Sequence, residues 1–135
     1  MVMANDEKKK ILRSYRLIAI QIKAEHEELY ELMELINDPF PDGLSPCGEK
    51  MRRDIIDKRE MMRLQIENRI KEKEERLDRI TDAVNAVSNE SERRLLLLRY
   101  IDGFTLEEIA DQMRFSYRHI LRIHNNALEH FEIDT

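Results

Sequence analysis

Apolar side chains recur in sevens near the start of the chain. Tyr15, Ile22, Leu29 and Ile36 hold one heptad position, and Ile11, Ile18 and Leu32 hold the other, with Glu25 as a polar break. Such a stripe is the seam of a long helix packed against another, and it predicts a helix over about Asp6 to Asn37. The helix has to stop there: Pro39 excludes helical geometry at Asp38, and the stretch NDPFPDGLSPCG supplies turn conformations for a reversal of direction.

A second stripe of Ile66, Ile70, Leu77, Ile80, Val84 and Val87, interrupted by Lys73, predicts a helix from about Glu49 to Val87. Helices of roughly 32 and 39 residues are about 48 and 58 Å long, so the two can form an antiparallel hairpin whose second arm overshoots the first and joins whatever follows. Charged runs such as KKK and EKEER read as solvated faces with i,i+4 pairs. The 135 residues include only three glycines and three prolines, and every proline lies between Pro39 and Pro46, so the turn chemistry of many short strands is missing. Charged residues make up 38% and hydrophobic ones 41%, a balance that suits long helices with thin seams and not a large enzyme core. The expected fold is all-α: a long helical hairpin, or coiled-coil stalk, over residues 1–78 and a small helix-turn-helix head over 79–135.

In the head, SNES (Ser88 to Ser91) breaks the second helix. Asn89 with Glu92 three residues later has the form of a helix start, and RRLLLLRYI after it must be buried on most sides until Asp102-Gly103 ends it. Thr105 and Glu108 form a capping box for the next helix, which offers Leu106, Ile109, Ala110 and Met113 to a core; Ala110 is small enough for a crossing helix to approach closely. A short turn at Arg114 and Phe115 follows. Ser116 is the expected N-cap of the last helix, over about 116–131, where Ile120, Ile123, Ala127 and Phe131 share the buried face.

The opposite face of that helix carries Arg118, Arg122 and Asn125 at i, i+4, i+7, with Tyr117 and Leu121 alongside. The whole chain has a formal net charge of -5, yet no Asp or Glu stands between Met113 and Leu128. Arginine has the fork geometry for guanine or phosphate, and a helix fits the major groove of DNA. The bland alternative is an exposed basic face that contacts nothing; the helix-turn-helix setting favours the DNA-reading one. Candidate DNA-binding residues are Arg114, Ser116, Tyr117, Arg118, His119, Leu121, Arg122 and Asn125.

The segment from about Ile80 to Phe131, above all LLLLRYIDGFTLEEIADQMRFSYRHILRIHNNALEHF, resembles region four of bacterial sigma factors, which reads the −35 element of promoters. The matching marks are LRY, the glycine before TLEEIA, and the closing AL. With a long hairpin in front, the chain resembles the phage-encoded sigma-like transcriptional regulators of the RinA and ArpU type. That resemblance implies base contacts at Tyr117, Arg118, Leu121 and Arg122, with Ser116 at the cap and neighbouring positions on phosphate. Tyr117 and Leu121 stand where sigma factors commonly have arginine, which implies a different target sequence and apolar contact with thymine methyls. No region two precedes the head, so a complete sigma factor is not expected.

Other chemistry finds little support. No HExxH or Cys/His cluster exists for a metal, no phosphate-cradling glycine loop occurs, and Cys47 has no nearby histidine to activate it, so neither enzyme activity nor a cofactor is expected. His119 and His124 are either phosphate or partner contacts or half-buried histidines, and the methionines are seam filler. A single cysteine, no signal peptide and no membrane-spanning run suggest a cytoplasmic protein, and the resemblance implies that the cell is a bacterial host. Expected partners are double-stranded DNA, RNA polymerase, and a second copy in a dimer, because one thin hairpin leaves Leu12, Leu17, Leu35 and several methionines uncovered. A DNA-packaging recognition subunit of the small terminase kind and a polymerase-binding adaptor are the alternatives.

Overall fold

The computed structural model describes residues 3–40, 43 and 48–134. Among these residues the chain is all-helical, without a strand: α1 (Asn5–Asn37), α2 (Glu49–Asn85), α3 (Glu90–Leu96) running on into a π-helical turn (Leu97–Ile101), α4 (Leu106–Met113) and α5 (Tyr117–His130). Most of the expected reversal after Asn37, including Pro41, Pro46 and the Cys47 thiol, lies outside the described residues. No described helix is long and apolar enough to cross a membrane. The chain forms two compact units, Ile20–Glu75 on the one hand and Met1–Ala19 with Arg76–Thr135 on the other. They interleave along the sequence and do not meet at a single cut.

In the unit of residues 20–75, α1 and α2 run antiparallel. Leu32, Ile66 and Ile70 are buried between them, with Ile22, Leu29 and Ile36 packed alongside. The two polar breaks of the seam meet each other: Lys73 Nζ donates to Glu25 Oε1, and Arg69 Nε lies 3.8 Å from the same oxygen. Lys73 is thus a seam residue, which corrects the expectation that EKEER is merely a solvated face. Pairing matters at this depth because a half-buried charge left alone would be costly. At the end of α1, whose last turn has no basic residue, Arg59 Nη1 donates to Pro39 O at 2.7 Å and Leu35 O at 3.3 Å. A cation from α2 so serves carbonyls that α1 itself leaves open.

The other unit has two apolar clusters. Leu95, Ile109, Ala110, Ile120 and Ile123 form one, where α4 crosses α5 beneath α3. Leu12, Ile80, Val84, Val87, Leu96, Tyr100, Ala127, Leu128 and Phe131 form the other, which draws on α1, α2, α3 and α5 together. The leucine run explains itself here: Leu95 faces one cluster and Leu96 the other, both fully buried. Leu12, expected to lack cover, is 0% exposed. Burying a side chain of this kind contributes about 1.5 to 3 kcal/mol, so the first turns of α1 stabilise this unit directly.

Lys8 makes the same point with charge. It is only 6% exposed, and its Nζ donates to Leu128 O at 2.7 Å and Glu129 O at 3.2 Å. These carbonyls end α5, where unpaired C=O groups and the negative end of the helix dipole favour a cation. The KKK run is therefore not wholly a solvated face. Lys8→Met keeps the aliphatic stem and removes the donor, so it should cost about 2 kcal/mol in urea denaturation, the range for hydrogen bonds to charged groups. A midpoint equal to that of the parent would show that the ammonium does not hold α5.

Candidate nucleic-acid interface

α4 begins at a complete capping box: Glu108 N donates to Thr105 Oγ1 at 3.2 Å, and Thr105 N donates to Glu108 Oε1 at 3.2 Å. Just before it, Gly103 sits at φ +84, and a Cβ there would fall 1.4 Å from Arg16 Nη1. The position favours glycine for its left-handed backbone, while the Arg16 guanidinium packed against it is the mobile end of a long side chain. α4 ends at Arg114, which adopts φ 59 and ψ 40, a left-handed cap on a residue that is not glycine. Its N–H closes onto Ala110 O and Asp111 O, and Phe115 N donates to Ala110 O at 3.0 Å. Holding a side-chain-bearing residue there costs about 1 to 2 kcal/mol, which the turn and the packing of Ala110 must offset.

Ser116 then caps α5, its Oγ accepting from His119 N at 3.1 Å. The His119 ring packs edge-on against Phe115, with centroids 4.6 Å apart. From this fixed start the helical repeat buries Ile120, Ile123, Ala127 and Leu128 and turns the other face outward. Arg114, Ser116, Tyr117, Arg118, Leu121, Arg122 and Asn125 are all exposed, and His119 is half-buried. Tyr117 and Leu121 are 46% and 37% exposed, large apolar groups left in water beside the two arginines. Among the described residues, no carboxylate pairs with Arg114, Arg118 or Arg122.

His124 is not part of that face. It is buried, and its Nε2 shares a 2.7 Å hydrogen bond with the Tyr100 hydroxyl. Burial holds its pKa down to about 4, and Lys9, Arg99 and Arg13 add to the effect. Of the two roles weighed for this histidine, the structure leaves the half-buried packing one. His130 also turns inward with one atom, its Nδ1 lying 2.5 Å from Oε1 of the buried Glu92. This pair joins the end of α5 to the start of α3, where Asn89 caps the helix by accepting from Glu92 N at 3.0 Å.

A neutral buried His124 makes stability depend on pH. The unfolded chain takes up this proton from about pH 6.5 downward and the folded chain only near 4, so the contribution is complete above 6.5 and is lost as pH falls toward 4. Between pH 7 and 5 the parent should lose about 2 kcal/mol more than His124→Gln, which keeps a hydrogen-bonding partner for Tyr100 but has no proton to gain. Urea midpoints at the two values measure this. Equal losses would mean that His124 is already charged in the folded state.

Sequence reasoning missed Lys8, Leu12 and Arg16 as parts of this unit, and it missed the Tyr100–His124 pair. One signal was present: Leu12 is apolar but lies off the heptad seam, as a residue does when its helix touches a second partner. No curated protein and no solved structure matches the chain. Residues 89–131, which hold the α3 cap, the turn at Arg114 and all of α5, match the family model described as Sigma-70, region 4, so this part of the chain is similar to a sigma region-four helix-turn-helix domain.

Proposed function

We propose that the protein is a sequence-specific transcriptional regulator, phage- or prophage-encoded and of the RinA and ArpU type, that reads promoter DNA with residues 116–131. One observation carries this reading: the unpaired Arg118 and Arg122 stand with Asn125 on the exposed face of α5, inside a segment that matches a DNA-binding family. Arg118 and Arg122 take the major-groove edges of bases, and Tyr117 and Leu121 supply apolar contact to thymine methyls. Arg114, Ser116 and His119 hold phosphates near the start of the helix, where free amides favour an anion. RNA polymerase is a second partner, as for many region-four domains. The protein acts as a homodimer, supported by the apolar groups that remain in water, among them Leu17, Leu35 and Met61. Two heads bound together would take half-sites about 10 base pairs apart or a multiple of that.

Selection of bound sequences from random duplex DNA by the full chain tests the reading. Enrichment of a defined motif at moderate salt is the expected result. Recovery of unrelated sequences, or of none, would refute sequence-specific regulation.

A further inference from the structure

The first turns of α1 hold Lys9, Arg13 and Arg16 at i, i+4, i+7, which places them on one face of the helix. Neighbouring contacts fix where that face lies. Next to Lys9, Lys8 reaches the carbonyls of Leu128 and Glu129 at the end of α5. At the other end, the Arg16 guanidinium lies against Gly103, just before α4. Arg99, in the π-helical turn, reaches the same entry, its Nη1 donating to Phe104 O at 3.0 Å. The strip therefore lies between the last turn of α5 and the entry of α4. Lys9, Arg13 and Arg99 each act on His124 as positive charges.

Arg13 and Arg16 are exposed and Lys9 is half-buried. Among the described residues, no carboxylate lies within 4.0 Å of the charged end of any of the three. Asp6 precedes Lys9 by three residues and Asp102 adjoins Gly103, but neither forms an ion pair with them. Lys9 to Arg16 spans about 10 Å of helix, enough to meet two or three phosphates of one strand. A chain of net charge -5 that leaves three cations unpaired beside an exposed basic helix has built a local field that suits a polyanion.

We propose that Lys9, Arg13 and Arg16, with Arg99 behind them, form a second DNA contact, a phosphate-holding strip that extends the footprint beyond α5 and carries no sequence information. The proposal rests on the reading that α5 binds DNA. It assigns to the first helix a function outside the segment that matches region four.

The test compares the full-length parent with a variant carrying Lys9→Gln, Arg13→Gln and Arg16→Gln, using fluorescence anisotropy on a selected duplex and an unrelated one across a salt series. Each lost phosphate contact lowers the slope of log K against log salt by about 0.9, so the variant's slope should be smaller by about 2 to 3. Affinity should fall alike on both duplexes, leaving their ratio within about twofold. If the triple variant does not fold, Arg13→Gln alone should lower the slope by about 0.9. A parent that binds no duplex overturns both this proposal and the reading beneath it. A parent that binds, with a variant of the same slope, overturns this proposal alone. The same slope together with lost binding to poly-L-glutamate would instead give the strip to an acidic protein.

Discussion

Ile109→Asp is expected to unfold the helix-turn-helix unit at neutral pH. Ile109 is fully buried between Leu95, Ala110, Ile120 and Ile123, none of which can donate to a carboxylate. Losing the isoleucine removes about 1.5 to 3 kcal/mol of burial. Keeping an acid in that site shifts its pKa by several units or ionises it at comparable cost, so the total comes to about 5 kcal/mol or more. That equals much of the stability of a small domain, typically about 5 to 15 kcal/mol. Since α5 and its C-cap also supply Ala127, Leu128 and Phe131 to the other cluster, their loss should release Leu12 and the first turns of α1. The seam of Leu32, Ile66 and Ile70 contains none of these residues and should keep its helicity. Circular dichroism with amide exchange measures both parts. A variant with the parent's melting curve would refute the core assignment, and loss of all helicity in one step would show that the two units fold together.

What could be read from the sequence was whatever is decided within a few residues. Asn89, Thr105 and Ser116 each cap a helix because a short polar side chain meets an amide three residues ahead, and the structure keeps all three bonds. The buried face of α5 followed from the 3.6 period for the same reason. Contacts set by distant parts of the chain were not legible. Lys8 meets Leu128 across 120 positions, and nothing local distinguishes it from Lys9 and Lys10. Glu25 and Lys73 each looked like a fault in a seam until the register of α1 and α2 brought the two faults together. The π-helical turn falls in LLRYI, where apolar residues are so dense that periodicity has no phase to reveal. The left-handed cap at Arg114 escaped because glycine, its usual signal, is absent.

Replacing both Arg118 and Arg122 by alanine should abolish most discrimination between the selected site and unrelated DNA. A good bidentate contact is worth about 1 to 3 kcal/mol against the wrong base, so the pair accounts for about 2 to 6 kcal/mol if the two act independently. Both side chains are exposed and take no part in either apolar cluster, so the fold should survive. Arg114 should behave differently. It stands in the turn before α5, and its replacement should weaken all duplexes alike and lower the salt slope by about 0.9. Competition binding with the two duplexes measures the ratio. A double variant that keeps the parent's preference would place sequence reading elsewhere.

In the proposed function, α5 recognises bases through the shape of its arginines and not through their charge alone. Arg122→Lys isolates the shape, because lysine keeps the charge and loses the planar fork. The decisive measurement is the ratio of affinities for the selected and unrelated duplexes, parent against Arg122→Lys, at one fixed salt concentration. Affinity for unrelated DNA should be unchanged and the ratio reduced about tenfold, equivalent to about 1.4 kcal/mol. A lysine variant with the parent's full ratio would contradict base reading by Arg122 and leave α5 as an electrostatic clamp.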